Sequence, residues 1–204
     1  EGQVFKVKSD AKPVEFFKTA ELQIQALAFD KAGDLYAASM PDGKVYRIHA
    51  DGKSSVFFDP KEKYIWALQF DPEGNLFVAT GDKGRLYKVS RNGKGAGFYD
   101  SDETHIRTLL LDDQNRLWAG SEGNGLVYLF DKTDGATATP FVVYDSQFRE
   151  IKALALAPKG AVFVAAMGDG KTSSIQAPTR AKPTAANTAV PETPSAIAAG
   201  ATSG

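Results

Sequence analysis

Four residues recur at one point of a repeating pattern, each directly after an isoleucine: Gln25, Trp66, Arg107 and Lys152, spaced 41, 41 and 45 residues apart. Neighbouring positions repeat faithfully, whereas this one changes chemical type in every copy. An aromatic plate, a guanidinium fork and an ammonium around one opening suit a planar or anionic ligand. The competing reading is that the position needs only to be polar, so that its variation is free. His105 lies near Glu103 and Arg107 and is the one histidine placed for acid–base work. His49 falls before a turn and reads as a solvated edge residue. No serine has a nucleophile-elbow context, and a triad would need distant partners for His105. The chain contains no cysteine, which excludes disulfides, thiolate metal sites and cysteine nucleophiles. With only two histidines a His-based metal site is not expected, and Asp100, Asp102, Glu103 and Glu150 lack the spacing of a calcium loop. No cofactor is expected. The stretches GKGAG (93–97) and GDGK (168–171) lack the Walker spacing and are both read as hairpin turns.

A repeat carries these residues. Copies begin at Ile24, Ile65, Ile106 and Ile151, and in the clearest one four short β-type runs are separated by DPEGN, GDKG and RNGKG. A period near 41 with four strands per unit is the signature of β-propeller blades. Residues 2–7, GQVFKV, match the third run of later copies, GKVYRI and GRLYKV. The predicted fold is therefore all-β, a propeller of four-stranded antiparallel blades. Half a blade spans 2–23, whole blades span 24–64, 65–105 and 106–150, and a second half spans 151–171. Asp30, Asp71 and Asp112 open the first turn of each blade, and Gly33, Gly74 and Asn115 take its left-handed position. Leu35, Leu76 and Leu117, the following Tyr36, Phe77 and Trp118, and the third-strand Tyr46, Tyr87 and Tyr128 are assigned to packing between blades. In such a fold the variable position lies at the mouth of the central channel.

Two architectures satisfy the arithmetic. Residues 151–167 and 2–17 together make one shared blade, giving a ring of four; alternatively the chain is part of a larger ring. Glu1 starts in mid-pattern, as a fragment or a processed form would. From Thr172 the sequence is built mostly from Ala, Thr, Pro and Ser without an aromatic residue, and 172–204 reads as a disordered linker or tail, or as an insertion within the last blade. The 204 residues are 43% hydrophobic with 22 aromatics, enough for a sizeable core. A net charge of −1 with mixed signs gives no footprint for nucleic acid, and no apolar run is long enough to span a bilayer. The partner expected is an unidentified protein or small-molecule ligand.

The third copy resembles the two-component-regulator-type propeller repeat through Asp112, Asn115, Leu117, Trp118, Gly120, Ser121, Gly125 and Leu126. The other copies depart from it, with Tyr36 or Phe77 for the tryptophan and Ala38 or Ala79 for the glycine. They are equally similar to NHL and streptogramin-lyase-like propeller repeats. The resemblance implies a six- to eight-bladed ring, often extracytoplasmic in bacteria, that senses or binds ligands or partners; a cytoplasmic location is the alternative. It carries over no catalytic residue. The function expected is a non-catalytic sensor or scaffold module, binding through Gln25, Trp66, Arg107 and Lys152. The alternative is a propeller-type hydrolase or lyase, lactonase- or streptogramin-lyase-like, with His105 as general acid or base.

Overall fold

Chain reversals set the frame. Gly33, Gly74, Asn115 and Gly160 have φ of 90°, 83°, 60° and 84°, a left-handed backbone that Gly and Asn tolerate at least cost. In three of these turns an aspartate ties the reversal down. Asp30 Oδ1 accepts from the amides of Ala32 and Asp34, and Asp71 Oδ1 from that of Asn75. Asp112 Oδ1 accepts from Gln114 and Arg116, while its Oδ2 takes Arg116 Nε and Trp118 Nε1. The predicted turn chemistry is what the computed structural model contains; it describes residues 1–170 and the strand Thr179–Arg180.

Every regular element among the described residues is a β-strand. Strands β1 (Gly2–Lys6) and β2 (Val14–Thr19) form a two-stranded sheet. Three four-stranded meanders follow. The first blade is β3 (Gln23–Phe29), β4 (Leu35–Met40), β5 (Gly43–Ile48) and β6 (Ser54–Glu62). The second is β7 (Ile65–Phe70), β8 (Leu76–Thr80), β9 (Arg85–Val89) and β10 (Gly95–Asp100). The third is β11 (His105–Leu111), β12 (Leu117–Glu122), β13 (Leu126–Phe130) and β14 (Phe141–Asp145). Strands β15 (Phe148–Leu156) and β16 (Val162–Gly170) make a final hairpin, joined to β12 by one bridge, Glu122 to Glu150. All pairings are antiparallel, and the chain is a β-propeller. The reading of 172–204 as a disordered tail lies outside the described residues, save that Thr179–Arg180 forms a short strand, β17, on the outer edge of β14.

The hydrophobic core lies in the seams between blades, because each strand's alternate side chains face two different neighbours. Leu35, Ala37 and Ile48 join Val4 and Phe17 in the first seam. Tyr36, Ala38 and Val45 join Ile65, Leu76 and Val78 in the second. Phe77, Ala79 and Leu86 join Ile106, Leu117 and Tyr128 in the third. A fully buried ring such as Phe77 or Phe98 contributes about 2–3 kcal/mol. The expected seam residues Tyr46, Tyr87 and Tyr128 pack on Phe17, Phe58 and Tyr99 at 5.1, 5.6 and 5.5 Å between centroids.

Two expectations are corrected. The four-blade ring is not made: among the described residues β1 pairs only with β2, and β16 only with β15. The chain is an open arc. Second, GDG at 168–170 is not a turn, because β15 reaches back to Phe148, whose partner is Gly170 at the end of β16. In GKGAG only the first half turns; Gly95 to Gly97 already pair with β9.

Candidate functional site

Each innermost strand carries the same defect at the same place. The register slips by one residue between Ile24 and Ala26, Ile65 and Ala67, Ile106 and Thr108, and Ile151 and Ala153. The residue left without a cross-strand partner is Gln25, Trp66, Arg107 or Lys152. The sequence-variable position is thus a β-bulge, a device that re-aims a side chain out of the ladder. Ile65, Ile106 and Ile151 are fully or almost fully buried beside it and fix where the slip occurs.

Two further positions lie beside the bulge. One residue before the isoleucine stand Gln23, Tyr64, His105 and Glu150, here termed lead residues. Met40, Gly81, Glu122 and Met167 share one position toward the far end of the adjacent strand, spaced 41, 41 and 45 residues apart. A bulge residue of one blade binds the lead residue of the next. Trp66 Nε1 donates to His105 Nδ1 at 3.1 Å, and Arg107 Nε donates to Glu150 Oε1 at 2.9 Å. Arg107 Nε also lies 3.4 Å from Glu122 Oε2, and Lys152 Nζ lies 2.8 Å from Glu150 Oε1. The Arg107 guanidinium sits 3.7 Å over the Trp66 ring centroid, on which Tyr64 stacks at 5.5 Å and 18°. His105 meets the same indole edge-on at 5.4 Å.

His105 Nδ1 accepts a second bond, from the Asp82 amide at 3.2 Å. Asp82 has φ of 66°, a left-handed conformation that Asp tolerates better than most residues. Both partners are N–H groups that can only donate, so Nδ1 bears a lone pair and the neutral ring carries its proton on Nε2. Gly81 makes room for this pair. A Cβ there would lie 2.3 Å from His105 Nδ1 and 2.5 Å from Trp66 Nε1. Burial works against the charged form of Glu150, but the hydrogen bond from Lys152 and the charge of Arg107 outweigh it and hold the carboxyl below its usual range. The side chains of Arg107 and Glu150 are 17% and 15% exposed, so this pair is less screened than a surface one.

The structure unites Trp66, Arg107 and Lys152 through His105 and Glu150. Among the described residues no hydrogen bond joins Gln25, on the exposed β3, to this cluster. Glu103 is not part of it either. It is buried and accepts from Ser121 Oγ at 2.8 Å, the Asn124 amide at 2.6 Å and Asn124 Nδ2 at 2.7 Å, pinning a loop. At the equivalent position Glu62 accepts from Arg85 and Tyr87 of β9, and Glu21 from Lys44 of β5. Asp100 pairs with Arg85 at 2.7 Å, and Asp102 is exposed, so the four acids weighed for calcium do not converge. His49 sits at the exposed edge, 3.0 Å from Asp34, whose carboxyl is held low by Arg47 first, against burial, with help from His49.

Sequence reasoning missed Tyr64, Gly81 and Glu122. For Tyr64 the signal existed, since it stands 41 residues before His105, whereas Gly81 and Glu122 stand 41 residues apart at a position that no noticed residue shares. It also missed the recurrence of Glu21, Glu62 and Glu103 at the same interval, which marks a structural pin.

Neither a protein-family model nor a curated protein sequence matches the chain. Solved structures do. The arc superposes on virginiamycin B lyase from Staphylococcus aureus with a TM-score of 0.67 at 15% identity, over 81% of this chain and 56% of the lyase. A streptogramin B lyase gives 0.69 at 14% identity, over 81% and 55%. The extracellular domain of a hybrid two-component system from B. thetaiotaomicron gives 0.57 at 14%, over 85% and 27%. The chain resembles these bacterial propellers in fold, and it spans little more than half the length of the two lyases. Among the described residues no helix is long and apolar enough to cross a membrane.

Proposed function

We propose that this chain is a non-catalytic β-propeller module that binds a small-molecule ligand or a protein at the mouth of its central channel, in an extracytoplasmic sensor or scaffold. One observation carries the reading: both donors aimed at His105 Nδ1 consume the only basic nitrogen of the ring. A neutral imidazole held this way presents Nε2–H, a donor, to whatever enters the mouth. The nearby charges of Arg107, Glu150 and Lys152 are likewise paired with one another. Such a site is preorganised to recognise, and offers no ready base for proton abstraction. The groups left facing outward are His105 Nε2–H, the exposed Gln25 and the partly exposed Lys152 ammonium. They suit a ligand with acceptor oxygens and a planar or anionic part.

A screen by thermal shift, followed by calorimetry on hits, tests this reading. Trp66→Ala and Arg107→Ala are each expected to weaken a wild-type ligand about tenfold or more, the loss of roughly 1.4 kcal/mol. Unchanged affinity in both removes the mouth as the site. The second reading is a lyase, favoured by the two lyases of similar fold and by a histidine at the mouth. Turnover of streptogramin B by this chain, abolished in His105→Ala, would establish it in place of the first.

A further inference from the structure

Between the first and second blades the turn end holds a recess of about 300 Å³, lined among others by Lys31, Tyr36, Arg47, Phe70 and Arg91. That volume is at the lower end of what small-ligand sites occupy. The recess lies beyond the far ends of β3 and β7, away from the bulges that carry Gln25 and Trp66. Its cations come from three places: the first turn of the first blade, β5, and the turn after β9. They are not engaged alike. Arg47 is neutralised by Asp34, which accepts from its Nε at 2.8 Å and lies 2.7 Å from its Nη2. Among the described residues Lys31 and Arg91 form no ion pair. Instead Lys31 Nζ donates to the Pro72 carbonyl at 2.6 Å, and Arg91 Nε to the adjoining Glu73 carbonyl at 2.5 Å. An ammonium has three donors and a guanidinium five, so each keeps most of its hydrogen-bonding capacity. Two blades thus bring two cations to one turn with N–H groups to spare.

Arg91 has a built seat. Gly74 has φ of 83°, and a Cβ there would lie 2.6 Å from Arg91 Nε, so the glycine lets the guanidinium press against the turn. Beside the cations stands an aromatic wall. Tyr36 and Phe70 meet edge-on at 4.9 Å, Phe70 is only partly buried, and the Arg47 guanidinium lies 6.0 Å from the Tyr36 centroid. The one acid lining the recess, Asp30, is already engaged by the amides of its own turn. The equivalent recess between the second and third blades differs. Asp71, Lys88, Asn115 and Lys132, each 41 residues after Asp30, Arg47, Gly74 and Arg91, all line it. Glu73, Asp131 and Asp134 line it too, and the longer loop of the third copy takes Lys88 for itself, through the carbonyls of Thr133 and Gly135. One backbone position is therefore acidic in one seam and basic in the other.

We propose that the recess between the first and second blades binds a small phosphate or sulfate monoester of a planar ring, separately from the site around Trp66 and His105. The ester oxygens accept from the spare N–H groups of Lys31 and Arg91, which adjoining carbonyls hold on one turn. A tetrahedral oxyanion with three acceptor oxygens suits an ammonium and a guanidinium arriving from two blades. The ring packs on the open side of Phe70, next to Arg47. Both anions share this chemistry, and the recess between the second and third blades, with its carboxylates, repels either.

Phenyl phosphate and phenyl sulfate, titrated calorimetrically into the whole chain at low ionic strength, test the site, with inorganic phosphate as the ring-free comparison. At least one ester is expected to bind saturably and more tightly than inorganic phosphate, and the tighter ester identifies the anion. Lys31→Ala and Arg91→Ala, both at exposed positions, are each expected to weaken it about tenfold, the loss of a charge-assisted hydrogen bond. Arg91→Lys should recover part of that loss, and Lys132→Ala in the neighbouring recess should have no effect. The proposal is overturned if neither ester binds, or if inorganic phosphate binds equally well. It is equally overturned if either alanine substitution leaves the affinity unchanged, or if Lys132→Ala weakens it as much. Should Trp66→Ala abolish binding while Lys31→Ala and Arg91→Ala do not, the ester belongs to the Trp66 site; this proposal then fails and the proposed function stands.

Discussion

The two ends of a blade are built on opposite principles. At the turn end, Asp30, Asp71 and Asp112 hold three reversals with the same side chain bonded to backbone amides of its own turn. At the bulge end, the copies share a β-bulge but fill it with Gln25, Trp66, Arg107 and Lys152, of which Trp66 and Arg107 find their partners in the next blade. The turn end is local and repeated, so it specifies the fold. The mouth is non-local and different in each copy, so it is free to specify recognition. The difference shows that one backbone irregularity, repeated without change, can display a different chemistry in every blade.

Breaking the turn end should cost most. Asp112→Ala removes the acceptor for two amides, the Arg116 guanidinium and the Trp118 indole, and is expected to lower stability by about 3 kcal/mol in urea titration while leaving the geometry of Trp66 and His105 intact. Gly81→Ala strikes the mouth instead. Its methyl group collides with His105 and Trp66, and the expected cost is about 2 kcal/mol together with loss of ligand affinity, read in the same titration and by calorimetry.

Acid should separate the two ends more finely. The carboxyls of Glu150 and Asp112 are both held low against the effect of burial, Glu150 by Lys152 and Arg107, Asp112 by Trp118 and the Arg116 amide and side chain. A depressed carboxyl contributes stability that is complete above its unfolded value, about 4, and lost as pH falls through the lower folded value. Glu150→Gln should therefore cost about 1 kcal/mol at pH 7 and flatten part of the decline below pH 4, as measured by urea midpoints across pH. Asn115→Gly is the smallest change. Its φ of 60° suits glycine, so the shift should stay within about 0.5 kcal/mol, whereas Asn115→Val should cost about 1–2 kcal/mol.

The turn end was legible in the sequence for the same reason that it is stable. Asp112, Asn115 and Leu117 act on residues a few places away, so type and spacing reveal them. The seams were legible through the period alone, since Tyr46, Tyr87 and Tyr128 recur at one interval. The mouth was half legible. The variable position announced itself, but the pairing of Trp66 with His105 joins residues 39 apart in neighbouring blades, and that follows only from the bulge and the seam. Glu103 was placed with His105 because the two are close in sequence. One side chain is buried under the loop of Asn124, whereas the other meets the Trp66 indole. Strand counting left a ring of four and part of a larger ring both open, because it gives the number of strands and not whether β1 and β16 meet.

Whether the mouth recognises or reacts rests on the state of one ring. With His49→Gln, His105 is the only imidazole left, and its long-range proton–nitrogen correlation spectrum at neutral pH reads both nitrogens directly. The account predicts a neutral ring with the proton on Nε2 and Nδ1 shifted as an acceptor of hydrogen bonds, a pattern lost in Trp66→Phe or Gly81→Ala. A proton on Nδ1 with bare Nε2 facing the channel would contradict it, because that ring would be a free base.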